Sequence, residues 1–172
     1  MLGQIKVVSD PIELVPLLVI FNNTMYKKIF DSLSTNWMTK AELTEKNSEK
    51  DVEECLLILR KGSLIDEQWR MPGPGKKPEK EYRAAYTRFR SNIQCNFVDL
   101  ADILYISISN DEELREKAQQ LEEELQRSSG SIGDLARKMG VSQTYIKSVA
   151  KRIPHLDVKG QGLVRLEEER GK

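Results

Sequence analysis

The stretch SIGDLARKMGVSQTYIKSVAKRIPHL, running from Ser131 to Leu156, decides the fold. Ser131 and Asp134 have the spacing of a capping box, which opens a short helix ending near Met139. Gly140 supplies the positive φ that a tight turn requires. Ser142 is placed to cap a second helix, which runs to about Arg152 and stops ahead of Pro154. Leu135, Met139, Val141, Ile146 and Val149 fall where side chains fill the wedge between two crossing helices, and Ala136 is small enough to let them approach. The pattern predicts a helix-turn-helix.

In this motif the amino-terminal residues of the second helix touch base edges in the major groove. The outward positions here are Ser142, Gln143, Thr144, Lys147, Ser148 and Lys151. Gln143 suits adenine N6 and N7, Thr144 a base edge or a thymine methyl, and the lysines suit phosphate or guanine. That helix carries no acidic side chain. The plainer interpretation is a solvated polar face. Beyond it, His155–Val158 and Gly162–Leu166 read as a small hairpin around Gly160-Gln161-Gly162, a short wing with Lys159 near its tip.

Upstream, Asp111–Arg127 reads as a helix with Leu114, Ala118, Leu121 and Leu125 on one stripe. So narrow a stripe packs against a single neighbour, in this chain or in a second copy, and these four residues are assigned to dimerisation. Residues 91–110 are the least legible. Leu100, Ile103 and Leu104 share a helical face, which favours a helix over Val98–Ile108, although Tyr105 to Ser109 alternates like a strand.

The first half repeats the theme. Asp10-Pro11 resembles a helix start, but Pro16 would interrupt it one turn later, so the first helix begins at one of the two. A helix follows from about Thr24, with Tyr26, Ile29, Phe30 and Leu33 on its inner stripe. Thr39 to Glu42 is a capping box for a short helix. Ser48 to Lys61 follows, with Val52, Cys55, Leu56 and Leu59 inward and Gly62 as the stop. The period then changes. Ser63–Arg70 and Lys80–Phe89 read as strands joined by a tip dense in proline and glycine, which no helix or sheet interior accommodates. A helix triplet followed by a basic hairpin is the winged-helix layout, with Arg70, Lys76, Lys77 and Lys80 on the DNA backbone. The helix before this wing opens with Glu45, Glu49, Asp51, Glu53 and Glu54, and phosphate repels such a face.

The expected class is therefore mainly α with small β-hairpins (α+β). It comprises two winged helix-turn-helix units, at residues 10–90 and 129–170, joined by a helical linker at 91–128. The 172 residues are enough for two small domains, and 39% hydrophobic with 31% charged content suits a globular chain. Net charge is zero, but the charge is segregated. Arg70–Arg90 holds seven basic and two acidic residues, Ser131–Gly160 six and two, and Asp111–Arg127 three and seven. Two basic patches separated by an acidic helix remain compatible with binding DNA.

Other classes find little support. The longest apolar run, Leu14–Phe21, is too short for a membrane span, and no signal-peptide pattern opens the chain, so a cytoplasmic protein without a membrane partner is expected. Cys55, Cys95 and His155 cannot make up a four-ligand zinc site, so no metal or cofactor is expected. Cys55 reads as buried packing. No Ser/His/Asp set appears, and Gly73-Pro74-Gly75-Lys76-Lys77 lacks the spacing and the backbone donors of a phosphate loop, so no catalytic residue is assigned.

Val15-Pro16-Leu17-Leu18 through Phe21-Asn22-Asn23, Leu33-Ser34, Trp37-Met38-Thr39, Leu59-Arg60-Lys61-Gly62, and Gln68-Trp69-Arg70-Met71-Pro72 up to Gly75–Tyr82 resemble the archaeal ArsR-like transcription regulators. The resemblance extends over most of the chain. It implies a winged-helix fold, binding to double-stranded DNA and a homodimer. The metal sensors of the wider family use paired cysteines, or histidines and carboxylates near the dimer helices, and this sequence lacks those sets. The effector is unassigned. The alternative is a winged-helix protein-interaction adaptor, which the acidic fourth helix would suit.

Overall fold

The computed structural model describes residues 3–71 and 73–166. The chain forms two units: one takes the described residues up to Val8 and Ile20–Asn92, the other Ser9–Val19 and the described chain from Ile93. The division differs from the expected one, because the segment read as a linker belongs to the second unit. The chain passes between units after Val8, again inside helix α1 (Leu14–Phe21), and after Asn92.

The first unit opens with strand β1 (Ile5–Val8). Helix α2 (Thr24–Thr35) is capped by Asn23 and buries Tyr26, Ile29 and Leu33. Strand β2 (Met38–Thr39) leads into α3 (Lys40–Thr44), where Thr39 and Glu42 form the reciprocal capping box. Helix α4 (Glu49–Lys61), capped by Ser48, buries Val52, Cys55, Leu56, Ile58 and Leu59. Its end differs from expectation. Gly62 has φ −80°, and Ser63 takes the left-handed position at φ 50°. The Ser63 and Leu64 amides donate to the Arg60 and Leu59 carbonyls, both at 2.9 Å, which is the Schellman arrangement.

Strands β3 (Ile65–Arg70) and β4 (Glu79–Ala84) pair antiparallel from Ile65↔Ala84 to Arg70↔Glu79. β2 joins the far side of β4, giving the order β2-β4-β3. The strand expected over Lys80–Phe89 is broken: β5 (Arg88–Ser91) leaves the hairpin and pairs in parallel with β1. A parallel partner distant in sequence leaves no local signal.

In the second unit, Asp10 caps a 3-10 turn at Pro11–Glu13, and α1 starts directly after it. Pro16 therefore lies in the first turn of α1, where the missing amide would have had no partner. Helices α5 (Phe97–Ile108), α6 (Asp111–Gln126), α7 (Ile132–Met139) and α8 (Gln143–Arg152) precede the antiparallel hairpin of β6 (Leu156–Lys159) and β7 (Gly162–Arg165). Ile106, Leu121, Leu135, Ile146, Val149 and Leu156 are among the fully buried side chains of one core.

The two units share one wiring. In the first it runs α2, β2, α3, α4, β3, β4, with β2 bonded to β4. In the second it runs α6, an isolated bridge at Ser131, α7, α8, β6, β7, with Ser131 paired to Gly162 of β7.

Candidate nucleic-acid interface

α7 and α8 pack against each other across the turn at Gly140. The Ser131 and Ser142 hydroxyls accept from the Asp134 and Tyr145 amides at the two helix starts. Gly140 has φ 67°, and the Val141 amide donates to the Ala136 carbonyl at 3.0 Å. Leu135, Ile146 and Val149 fill the wedge at zero exposure, with Met139 and Val141 against them.

The outward residues of α8 separate into two sets. Gln143 is exposed, and Thr144 and Lys147 are half-buried. The Ser142 hydroxyl donates to Asp102 of α5 at 2.6 Å. Ser148 is fully buried, donating to the Thr144 carbonyl at 2.7 Å. Lys151 pairs with Asp157 of β6 at 3.0 Å. Ser148 and Lys151 therefore lie off the outward face to which the sequence assigned them. The cause is packing: α8 is the central helix of its unit, with α5, α7, β6 and the 3-10 turn all against it. What stays open is its amino-terminal end.

The first hairpin divides likewise. Lys76 and Lys77 are exposed at the tip, where Gly75 takes φ 85°, and neither makes an ion pair among the described residues. Arg70, where β3 enters the tip, pairs with Glu42 at 2.6 Å and with Glu81, and donates to the Trp37 carbonyl at 3.1 Å. Arg70 holds the Glu42 carboxyl below the ordinary carboxylate range. Glu81 is likewise lowered, by its hydrogen bond from Gln68 and then by Arg70. Arg70 is thus a structural cation joining β3, β4 and α3. Lys80 lies 5.7 Å from the centre of the Trp69 ring and 4.0 Å from Glu67. On α4, Glu49 and Glu53 are exposed and both bind Lys40, so its outer face is acidic as read.

The α6 stripe assigned to dimerisation faces inward. Ala118 and Leu121 are buried in the core of the second unit, with Leu114 and Leu125 packed against it, so the neighbour is this chain itself. The exposed apolar stripe lies on α5 instead: Phe97 is 87% exposed, Leu104 41% and Ile108 59%.

The family model for the ArsR transcriptional regulator matches residues 8–167. The chain belongs to the ArsR family. The match spans both units, and ArsR is a family of transcription regulators, not an enzyme class. A search of curated proteins finds no match.

Sequence reasoning missed two exposed cations of this ArsR chain, Arg88 and Arg90 on β5. Arg88 falls at the end of the strand expected over Lys80–Phe89 and Arg90 beyond it, and the Arg88-Phe89-Arg90 alternation is the signal that could have found them. Cys55 is buried, and desolvation pushes its thiol up to about 12, whereas Cys95 is exposed. His155 pairs with Glu122 of α6. Among the described residues, no cluster of His, Cys, Asp and Glu is arranged to hold a metal ion, and no helix is long and apolar enough to cross a membrane.

Proposed function

We propose that this ArsR-family chain is a sequence-specific DNA-binding regulator, acting as a homodimer built from two winged helix-turn-helix units. The observation that carries this is which cations stay without an ion pair among the described residues. Lys76 and Lys77 are at one hairpin tip, Lys159 is near the other, and Lys147 is at the open end of α8. Arg70, beside the first tip, and Lys151, one turn beyond Lys147 on α8, are instead engaged in ion pairs within the fold. Phosphate attracts the first group and gains nothing from the second.

In this account Gln143 and Thr144 read base edges, Lys147 meets phosphate or guanine, and Lys76 and Lys77 bind the backbone without regard to sequence. The shared wiring supports two winged units, each with its first short strand bonded to the last strand of its hairpin. The exposed α5 stripe supports the dimer. The acidic face of α4 favours a second reading, an adaptor that binds protein through that helix.

Selection of bound duplexes from a random pool, with sequencing, tests the proposal. The expected result is an enriched motif whose base preference Gln143→Ala relaxes. A pool without enrichment favours the adaptor.

A further inference from the structure

The second unit contains a polar cleft of about 290 Å³ whose lining includes Thr144 and Lys147, two of the residues assigned to DNA, together with residues that the DNA reading does not use. Its walls come from three places in the chain. Asp10 caps the 3-10 turn, Cys95, Asn96 and Asp99 surround the start of α5, and Thr144 and Lys147 come from the first turns of α8. We propose that this cleft binds a small zwitterion of the α-amino-acid class, and that its occupancy withdraws Thr144 and Lys147 from DNA.

The charges select the ligand. Asp10 Oδ1 accepts from the Ile12 amide at 3.0 Å, and Asp99 Oδ2 accepts from the Asn96 amide group at 3.0 Å. In each carboxylate the other oxygen is unengaged among the described residues. Lys147, which makes no ion pair among the described residues, contributes a cationic side chain to the same lining. A simple anion meets two carboxylates there, and a simple cation meets the lysine; each like-charge approach opposes binding. A molecule with a carboxylate at one end and an ammonium at the other satisfies both, and the Thr144 hydroxyl and Asn96 add neutral hydrogen-bond partners. The volume lies at the lower limit of small-molecule sites, which suits a free amino acid.

The link to regulation rests on the proposed function. The Lys147 ammonium cannot serve a ligand carboxylate and a DNA phosphate at once, so each lowers the affinity for the other by the same factor.

Cys95 makes the cleft observable without DNA. It is exposed and lines the walls, whereas Cys55 is buried with a raised pKa, so iodoacetamide reports on Cys95 alone. The full chain is alkylated in the presence of each standard amino acid other than cysteine, whose own thiol consumes the reagent, at millimolar concentration. At least one should slow alkylation several-fold, while its N-acetyl and methyl-ester forms do not. Lys147→Gln and Asp99→Asn should each weaken that protection by about ten-fold or more, as the loss of one charge-assisted hydrogen bond predicts. Thermal melts of both variants check that they fold, and Thr144→Val supplies a third, uncharged change with a smaller expected loss. Absence of protection by any amino acid, or equal protection by the blocked forms, overturns the site. A DNA titration with the protecting amino acid is the second arm. Protection without loss of DNA affinity removes the competition and leaves the site, and protection in a chain that binds no duplex refutes the DNA reading alone.

Discussion

At the scale of single residues, the sequence identifies capping positions well and the role of a charge poorly. Asp10, Thr39, Ser131 and Ser142 cap helices or turns as read, because a cap depends on neighbours a few residues away, while the caps Asn23, Ser48, Asn96 and Asn110 emerge only from the structure. Arg70 and Lys151 looked like phosphate ligands, and their partners Glu42 and Asp157 come from other elements that spacing cannot bring together. Two expectations follow at this scale. Ser63 occupies the left-handed corner of a Schellman turn that favours glycine, so Ser63→Gly should stabilise the first unit by about 0.5–1 kcal/mol in urea unfolding. Glu42 and Glu81 ionise more readily folded than unfolded, so their contribution is present above the ordinary carboxyl pKa of 4.5 and lost as pH falls through the lower folded value. The double variant Glu42→Gln, Glu81→Gln should melt lower at neutral pH and should lose less stability than the parent on acidification. A parent-like acid profile would remove Arg70 from its structural role.

At the scale of elements, helices with a strong amphipathic pattern were legible, and which neighbour each one packs against was not. The α6 stripe is a clear periodic signal, but periodicity does not say whether the covering surface belongs to the same molecule. α8 illustrates the opposite case. A helix surrounded by α5, α7, β6 and the 3-10 turn must bury even a serine, and Ser148 satisfies its hydroxyl against its own backbone. β1 and β5 were invisible as a pair for want of a connecting turn. These assignments predict a contrast. Leu121→Ala should cost about 2–5 kcal/mol by opening a cavity in the core and should leave the oligomeric state unchanged. Phe97→Ser with Ile108→Ser, on the exposed α5 stripe, should change stability little and lower the molecular mass measured by sedimentation equilibrium. Dissociation by the first change alone would restore the α6 stripe as the seam.

At the scale of the whole molecule, the recurrence of two short helices followed by a hairpin was legible from capping boxes and turn residues, whereas the short strand at Met38–Thr39 and the bridge at Ser131 had no sequence signal. The boundary was not legible either, since α5 and α6 have the composition of a connector and belong to the core of the second unit. A net charge of zero says nothing about function once the ion pairs are located; what matters is the set of cations that the fold leaves unpaired. The affinity of the chain for its selected duplex, measured by fluorescence anisotropy across a salt series, tests this most directly. The account predicts a linear fall of log affinity with log salt, and a slope shallower by about two when Lys76 and Lys77 are both replaced by alanine. An affinity indifferent to salt, or a slope that the double replacement leaves unaltered, would contradict it.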